Sequence, residues 1–256
     1  MALSNAILLI HGYATDADDF KNIIEELHDR YQEVVAETLP SHLKRDHLKT
    51  FKVDEAISFF ESQYESLIKK YGTIDIMGFS MGGAIATYLA SKGHVENLIL
   101  LAPANDYLNG HFPISKLKLF LDYLLSTMSL ESKDIKTYRK ELFIDGLKDS
   151  QKSLDVALKK LLPNYTIHSL LTFKDVIKYC NSHIDSIDSD TLIIYGTVDQ
   201  LVPKSCIKHV ARHCKQSKTV ILPGISHLML NSNNYEVVKD TILDFLDKKE
   251  KTKYAA

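Results

Sequence analysis

The stretch Gly78-Phe79-Ser80-Met81-Gly82 constrains the fold of this chain more than any other. A short apolar run, residues 74–77, leads into it, and a helical pattern over residues 81–91 leaves it. A strand that turns this sharply into a helix can hold a serine in a strained backbone geometry with its hydroxyl turned into a cleft. Glycines at the first and last positions answer a physical need, because side chains there would clash in so tight a turn. Three fixed positions in five recur by chance, so the surrounding pattern has to carry the reading.

That pattern is an alternation. Compact apolar runs at residues 6–10, 33–36, 74–77, 97–102, 191–195 and 219–222 read as strands buried on both faces. Helical stretches lie between them. Residues 53–68 place Ile57, Phe60, Tyr64, Leu67 and Ile68 on one face, and residues 237–246 do the same with Val238, Ile242, Phe245 and Leu246 before a charged tail from Lys248. Alternating β and α units predict a mostly parallel sheet of about six strands with helices on both faces, an α/β class. The rhythm breaks between Pro103 and Asp190, where no strand pattern occurs. Ile114, Leu117, Phe120, Leu121, Leu124, Leu125 and Met128 recur there at helical spacing, and residues 153–162 and 169–179 read as helices. Residues 104–172 are therefore expected to form a helical cap inserted over the carboxyl edge of the sheet, within a single domain spanning 1–256.

Bulk properties narrow the function classes. A chain of 256 residues can bury a substantial core as one domain. The formal net charge of −2 offers no electrostatic footprint for nucleic acid. The three cysteines, Cys180, Cys206 and Cys214, form no CxxC and are odd in number, which argues against a disulfide framework and for a reducing compartment. Residues 6–10 are too short an apolar run for a signal sequence or a membrane span. A cytoplasmic protein without stable membrane insertion is expected. There is no Walker motif, G-x-G-x-x-G or H-E-x-x-H, so neither nucleotide nor metal is expected as a cofactor. His209 and His213, flanked by Cys206 and Cys214, show zinc-like spacing. However, Ile207, Val210, Ala211 and Cys214 share the apolar face, so both histidines are expected on a solvated helix face. Cys180 and Cys214 read as inert core thiols.

In open parallel sheets ligands bind outside the carboxyl ends of the strands. His11-Gly12-Tyr13 follows the first strand, Ser80 the third, Asp199 the fifth and His227 the sixth. A serine hydroxyl becomes a useful nucleophile when a base within hydrogen-bond reach takes its proton. His227 can serve as that base, and Asp199 would fix its tautomer. Backbone N–H groups of Tyr13 and Met81 are the expected donors to an oxyanion. Other histidines, such as His42, His111, His168 and His183, do not follow the last strand, and Asp185, Asp188 and Asp190 precede the fifth strand at its wrong end. His11 is expected to shape its loop, and Gly12 to let substrate approach the backbone.

With these stretches in order, the chain resembles α/β-hydrolases of the small carboxylesterase and monoacylglycerol-lipase-like group. The matching segments are Leu8-Leu9-Ile10-His11-Gly12-Tyr13, Gly78-Phe79-Ser80-Met81-Gly82-Gly83, Gly196-Thr197-Val198-Asp199-Gln200-Leu201-Val202-Pro203 and Gly224-Ile225-Ser226-His227. The resemblance implies a serine esterase with a helical cap and no cofactor, with Tyr13 in an oxyanion position that the group often fills with an aromatic residue. Two departures stand out. Leu39-Pro40-Ser41-His42 replaces the common Gly-His-Gly after the second strand, and little chain precedes the first strand, which implies a reduced sheet.

The expected activity is hydrolysis of uncharged, lipophilic carboxylic esters of short to medium chain through an acyl-enzyme. Gly12, Phe79, Tyr107 and Leu228 are the expected substrate contacts. Thioesterase, amidase or aminopeptidase chemistry would use the same machinery, and Asp122, Glu131 and Asp134 are the cap acids available to hold a substrate amine. A catalytically idle binding domain is the alternative from another class. The sequence leaves the oligomeric state open.

Overall fold

Six strands form one parallel sheet in the order β2-β1-β3-β4-β5-β6. They are β1 (Ala6–Ile10), β2 (Glu33–Val35), β3 (Ile74–Phe79), β4 (Val95–Leu101), β5 (Ile187–Gly196) and β6 (Cys214–Leu222). The computed structural model describes residues 4–43, 45–106, 167–199 and 201–254. Most of the expected cap, residues 107–166, lies outside the described residues.

The central strands are apolar on both faces because helices cover both, and every residue of β1 and β3 is buried. Between β2 and β3 runs α2 (Val53–Tyr71), following α1 (Ile24–His28). The amphipathic face expected for it is the buried one: Ile57, Phe60, Tyr64 and Leu67 face the sheet. Asp54 and Glu55 in its first turn and Lys69 and Lys70 in its last suit the helix dipole. Gly72 ends it with φ of 81°, its N–H donating to the Ile68 carbonyl. The helix after β3, α3 (Met81–Ser91), is buried from Met81 through Ala90. It packs on β3 and against α4 (Ile167–Ser182). That last helix spans residue 172, the expected end of the cap. It buries Phe173, Val176, Ile177 and Cys180 against α2 and α3.

The chain leaves β1 toward β2 on one side and returns to β3 on the other. The loops after β1 and β3 therefore diverge at neighbouring strands, and this divergence opens the crevice in which such sheets bind ligands.

Several element boundaries differ from the sequence expectation. β5 begins at Ile187 and β6 at Cys214, both well before the apolar runs that announced them. β6 is an edge strand whose first residues are mostly exposed, so its early part carries lysine and serine instead of a continuous apolar run. The last helix, α6 (Tyr235–Tyr254), continues through the charged segment expected to be a tail. The short helix α5 (Ser205–Ala211) ends before Cys214, so that cysteine opens β6 and does not share a helix face with Ile207 and Val210. His209 and His213 are half-buried, with ring centroids 5.1 Å apart, and do not lie on a fully solvated face. Among the described residues no cluster of His, Cys, Asp or Glu could hold a metal ion. No described helix is long and apolar enough to cross a membrane.

Candidate active site

At the junction of β3 and α3, Ser80 adopts φ 53° and ψ −114°, a conformation that costs a non-glycine residue of order 1–3 kcal/mol. Close backbone packing holds it there. Ser80 N–H donates to the Leu101 carbonyl at 2.9 Å, and its own carbonyl accepts from Gly83 and Ala104 N–H, each at 3.0 Å. The flanking glycines are required by contact. A Cβ on Gly78 would lie 2.4 Å from the Gly82 carbonyl oxygen, and one on Gly82 would lie 2.0 Å from that of Ile10. The second contact seats the end of β1 directly against the start of α3.

Asp199 and His227 arrive from the two loops beyond β5 and β6. The loops are stitched together: Thr197 N–H donates to the Leu222 carbonyl at 3.0 Å and Val198 N–H to that of Ile225 at 3.1 Å. Gly196 makes the approach possible, since a Cβ there would sit 2.1 Å from the Ile225 carbonyl oxygen. In the turn after β5, the N–H groups of Leu201 and Val202 donate to Asp199 Oδ1 at 2.8 and 3.0 Å. That leaves Oδ2 for His227 Nδ1, 2.7 Å away. His227 Nε2 lies 3.0 Å from Ser80 Oγ. The Asp199 side chain is 0% exposed and that of His227 5%, so bulk water does not compete for these bonds. An imidazole oriented in this way can take a proton from the hydroxyl it touches and return it to a leaving group.

The loop after β1 is built around Gly12. His11 Nε2 accepts from Leu39 N–H at 3.0 Å, so the ring proton sits on Nδ1 and is donated to the Gly12 carbonyl at 2.8 Å. Burial lowers the His11 pKa to about 4, a drop only partly offset by the bond to Gly12, and the ring is neutral. His11 therefore shapes its loop, in line with the sequence expectation. The Gly12 carbonyl belongs to the same trans peptide as the Tyr13 N–H, so fixing one fixes the direction of the other. The Tyr13 side chain turns away into an aromatic cluster. Its hydroxyl donates to Ser169 Oγ at 2.8 Å, and its ring lies 4.9 Å from that of Phe173 and 5.9 Å from that of His42. Met81, the first residue of α3, has an N–H without an intrahelical acceptor, at the positive end of the helix dipole.

The structure brings Ser80, Asp199, His227, Gly12, Tyr13, Met81, Phe79 and Leu228 to the same edge of the sheet. The Phe79 ring packs 5.0 Å from that of His227. With Leu228 it lines a small pocket that also includes Leu101, Met229 and Asp19. Tyr107, His111, Asp122, Glu131 and Asp134 lie outside the described residues. His168 and His183 are exposed on α4 and just beyond its end. His42 is buried beside Tyr13, with its pKa held well below the usual value by burial. Sequence reasoning passed over Asp19. It sits among Asp16 and Asp18 in a polar turn that reads as solvated, and only the fold shows it buried against Gly12.

The sequence model of the serine aminopeptidase S33 family matches residues 2–234. A pimeloyl-(acyl-carrier protein) methyl ester esterase of Neisseria meningitidis serogroup C is 25% identical over 231 residues, which cover 86% of this chain and 86% of that protein. Among solved structures, the monoacylglycerol lipase of Paleococcus ferrophilus superposes with a TM-score of 0.63 at 16% identity, covering 97% of each chain. MenH from S. aureus does so with a TM-score of 0.59 at 20% identity, covering 98% of this chain and 96% of that one. The chain belongs to the serine aminopeptidase S33 family and has the α/β-hydrolase fold, within the esterase-like group.

Proposed function

We propose that this protein is a serine hydrolase that cleaves small carboxylic esters, uncharged and of short to medium chain, through an acyl-enzyme on Ser80. The observation that supports it most is the unbroken chain from Asp199 Oδ2 to His227 Nδ1 at 2.7 Å and from His227 Nε2 to Ser80 Oγ at 3.0 Å, on a strained serine. In this reading Ser80 Oγ attacks the ester carbonyl carbon while His227 Nε2 takes its proton. Met81 and Tyr13 N–H groups receive the resulting oxyanion. The tetrahedral intermediate expels the alcohol, which leaves with the proton from His227. Water, deprotonated by the same ring, then releases the acid and restores Ser80. No step calls for a cofactor. The apolar side chains of Phe79 and Leu228 beside His227 favour an uncharged group next to the reacting carbonyl, which would lie along the Gly12 loop. Tyr107 and a cap over 104–172 would complete the pocket. The Neisseria relative's name, a methyl ester esterase, agrees with an ester substrate and a small alcohol leaving group. A cytoplasmic location fits the three free cysteines.

Hydrolysis of p-nitrophenyl esters from acetate to palmitate, by wild type and Ser80→Ala in parallel, tests this. The expected result is turnover that peaks at short to medium chains and falls by at least 10³-fold in the variant. The family's description as serine aminopeptidases favours a second reading, amide hydrolysis at a free amino terminus. Aminoacyl p-nitroanilides separate the two: faster turnover of these than of any ester would replace the esterase reading. Absence of both activities and of fluorophosphonate labelling would favour a binding domain.

A further inference from the structure

A buried carboxyl group outside the Ser80–His227–Asp199 set sits at the seam between the two loops on which that set depends. Asp19 lies in the 3-10 helix Ala17–Phe20, just beyond the Gly12 loop, and is 7% exposed. Its Oδ2 accepts two hydrogen bonds, from Gly12 N–H at 3.1 Å and from the Thr15 hydroxyl at 2.5 Å. On the other side, Asn231 Nδ2 donates to the Asp19 carbonyl at 3.4 Å and Asn22 Nδ2 donates to that of Leu230 at 2.7 Å. These contacts brace the 3-10 helix Met229–Asn231, which begins two residues after His227.

The geometry at Gly12 gives the bond its meaning. A glycine joins two peptide planes with little intrinsic preference between conformations. His11 Nδ1 pins the plane that carries Tyr13 N–H by holding its carbonyl. Asp19 pins the preceding plane through Gly12 N–H. With both planes held, the Tyr13 N–H has one direction. The loop also needs restraint, because Ala14 adopts φ of 56°, a left-handed conformation that costs an alanine roughly 1–2 kcal/mol. Thr15, the next residue, is the second group that Asp19 holds. Phe79 closes the remaining space, since a Cβ on Gly12 would meet its ring at 3.1 Å.

We propose that Asp19 is a positioning residue for the reaction: its carboxyl group, by accepting from Gly12 and Thr15, holds the Tyr13 N–H in the direction an oxyanion requires, while its helix braces the segment that follows His227. The proposal rests on the serine-hydrolase reading. It assigns Asp19 no contact with substrate and no proton transfer. Burial raises the Asp19 pKa to about 7, against the pull of Thr15, Gly12 and His227, so the side chain keeps its place at a cost the hydrogen bonds must offset. Its acceptor oxygen carries the role, and an amide oxygen can substitute for it.

The test measures kcat and KM for the best p-nitrophenyl ester with wild type, Asp19→Ala, Asp19→Asn and Thr15→Val, alongside the rate of fluorophosphonate labelling and the melting temperature. A transition-state donor that has lost its aim lowers kcat and leaves substrate binding alone. Asp19→Ala is expected to lower kcat at least tenfold with KM within twofold, and to slow labelling in parallel. Asp19→Asn is expected to recover kcat to within about threefold of wild type, and Thr15→Val to lower it two- to fivefold. A folded Asp19→Ala with wild-type kcat overturns the proposal. So does an Asp19→Asn as impaired as Asp19→Ala, because the acceptor is then not what matters. If Asp19→Ala does not fold, an unchanged kcat in Thr15→Val overturns the proposal and the expected fall supports it. Wild type that neither turns over ester nor labels would instead remove the serine-hydrolase reading itself.

Discussion

Ser80 shows how a single residue can be held in an unfavourable conformation by its neighbours' lack of side chains. Its φ of 53° persists because α3 and the end of β1 approach more closely than any Cβ would allow. Gly82 is the sharpest case, since a methyl group there would stand 2.0 Å from the Ile10 carbonyl oxygen and 2.5 Å from that of His11. Both obstacles are backbone, and neither can swing aside as a flexible side chain would. Gly82→Ala is therefore expected to lose about 3 kcal/mol or more of unfolding free energy in urea titration, at or beyond the upper end for overpacked sites. A loss under about 1 kcal/mol would mean that β1 and α3 can separate cheaply. The same scale shows what the sequence could reveal. Ser80, Asp199 and His227 were legible because each sits just past a strand, where position alone gives a side chain its surroundings. The placement of Asp19 was not legible, because it depends on burial against a loop seven residues earlier, and an aspartate in the run Asp16 to Asp19 looks solvated until the fold closes over it.

Among the elements, α4 has an unexpected link to the site. The sequence reads as helical over residues 169–179, and the helix packs on α2 and α3. Its first turns also reach the loop after β1, where Ser169 Oγ receives the Tyr13 hydroxyl at 2.8 Å and Phe173 packs on the same ring. The helix that emerges from residues 107–166 is thereby tied to the residue whose N–H is the candidate oxyanion donor. A double-mutant cycle with Tyr13→Phe and Ser169→Ala is expected to give a coupling of about 0.5–1.5 kcal/mol in unfolding free energy, the usual net value of one buried hydrogen bond. Additive effects within about 0.3 kcal/mol would show that packing alone joins helix and loop. Strand ends were harder to foresee than helix faces. A central strand such as β3 is a solid apolar run, whereas the edge strand β6 has one side in water and opens on Cys214, Lys215, Gln216 and Ser217. The charged end of α6 escaped notice for the opposite reason: it has almost no apolar residues to bury, and continuing backbone hydrogen bonds suffice to extend it.

At the scale of the whole molecule, the sheet carries a buried carboxyl group at each end. Asp19 sits at the carboxyl edge beside the site, and Asp75 near the start of β3 at the opposite edge. Asp75 is 0% exposed. Tyr31 Oη donates to its Oδ2 at 2.8 Å, and Asn97 donates to it from its backbone N–H at 3.1 Å and from Nδ2 at 3.0 Å. These bonds tie β3 to β4 and to the segment before β2, yet burial outweighs them and raises the Asp75 pKa to about 6. The sign of the consequence follows from linkage. A carboxyl group whose pKa is higher folded than unfolded binds its proton more tightly in the native state. Its stabilising contribution is complete below the unfolded value of about 4 and is lost as pH rises through about 6. The difference between those two values corresponds to a loss on the order of 3 kcal/mol between pH 4 and pH 7. An asparagine at position 75 can accept from Asn97 through its one oxygen and donate its amide to the Tyr31 hydroxyl, without ionising. Urea titrations of wild type and Asp75→Asn at intervals from pH 4 to pH 8 should therefore diverge between about pH 4 and pH 6, where the wild-type stability declines more steeply, and keep a constant offset above it. Parallel curves would place the ionisation of Asp75 outside this window and leave Asp19, with its pKa near 7, as the buried acid that sets any remaining decline. Asp19→Asn in the same titrations separates the two groups, because a decline that belongs to Asp19 is removed in that variant and one that belongs to Asp75 is kept.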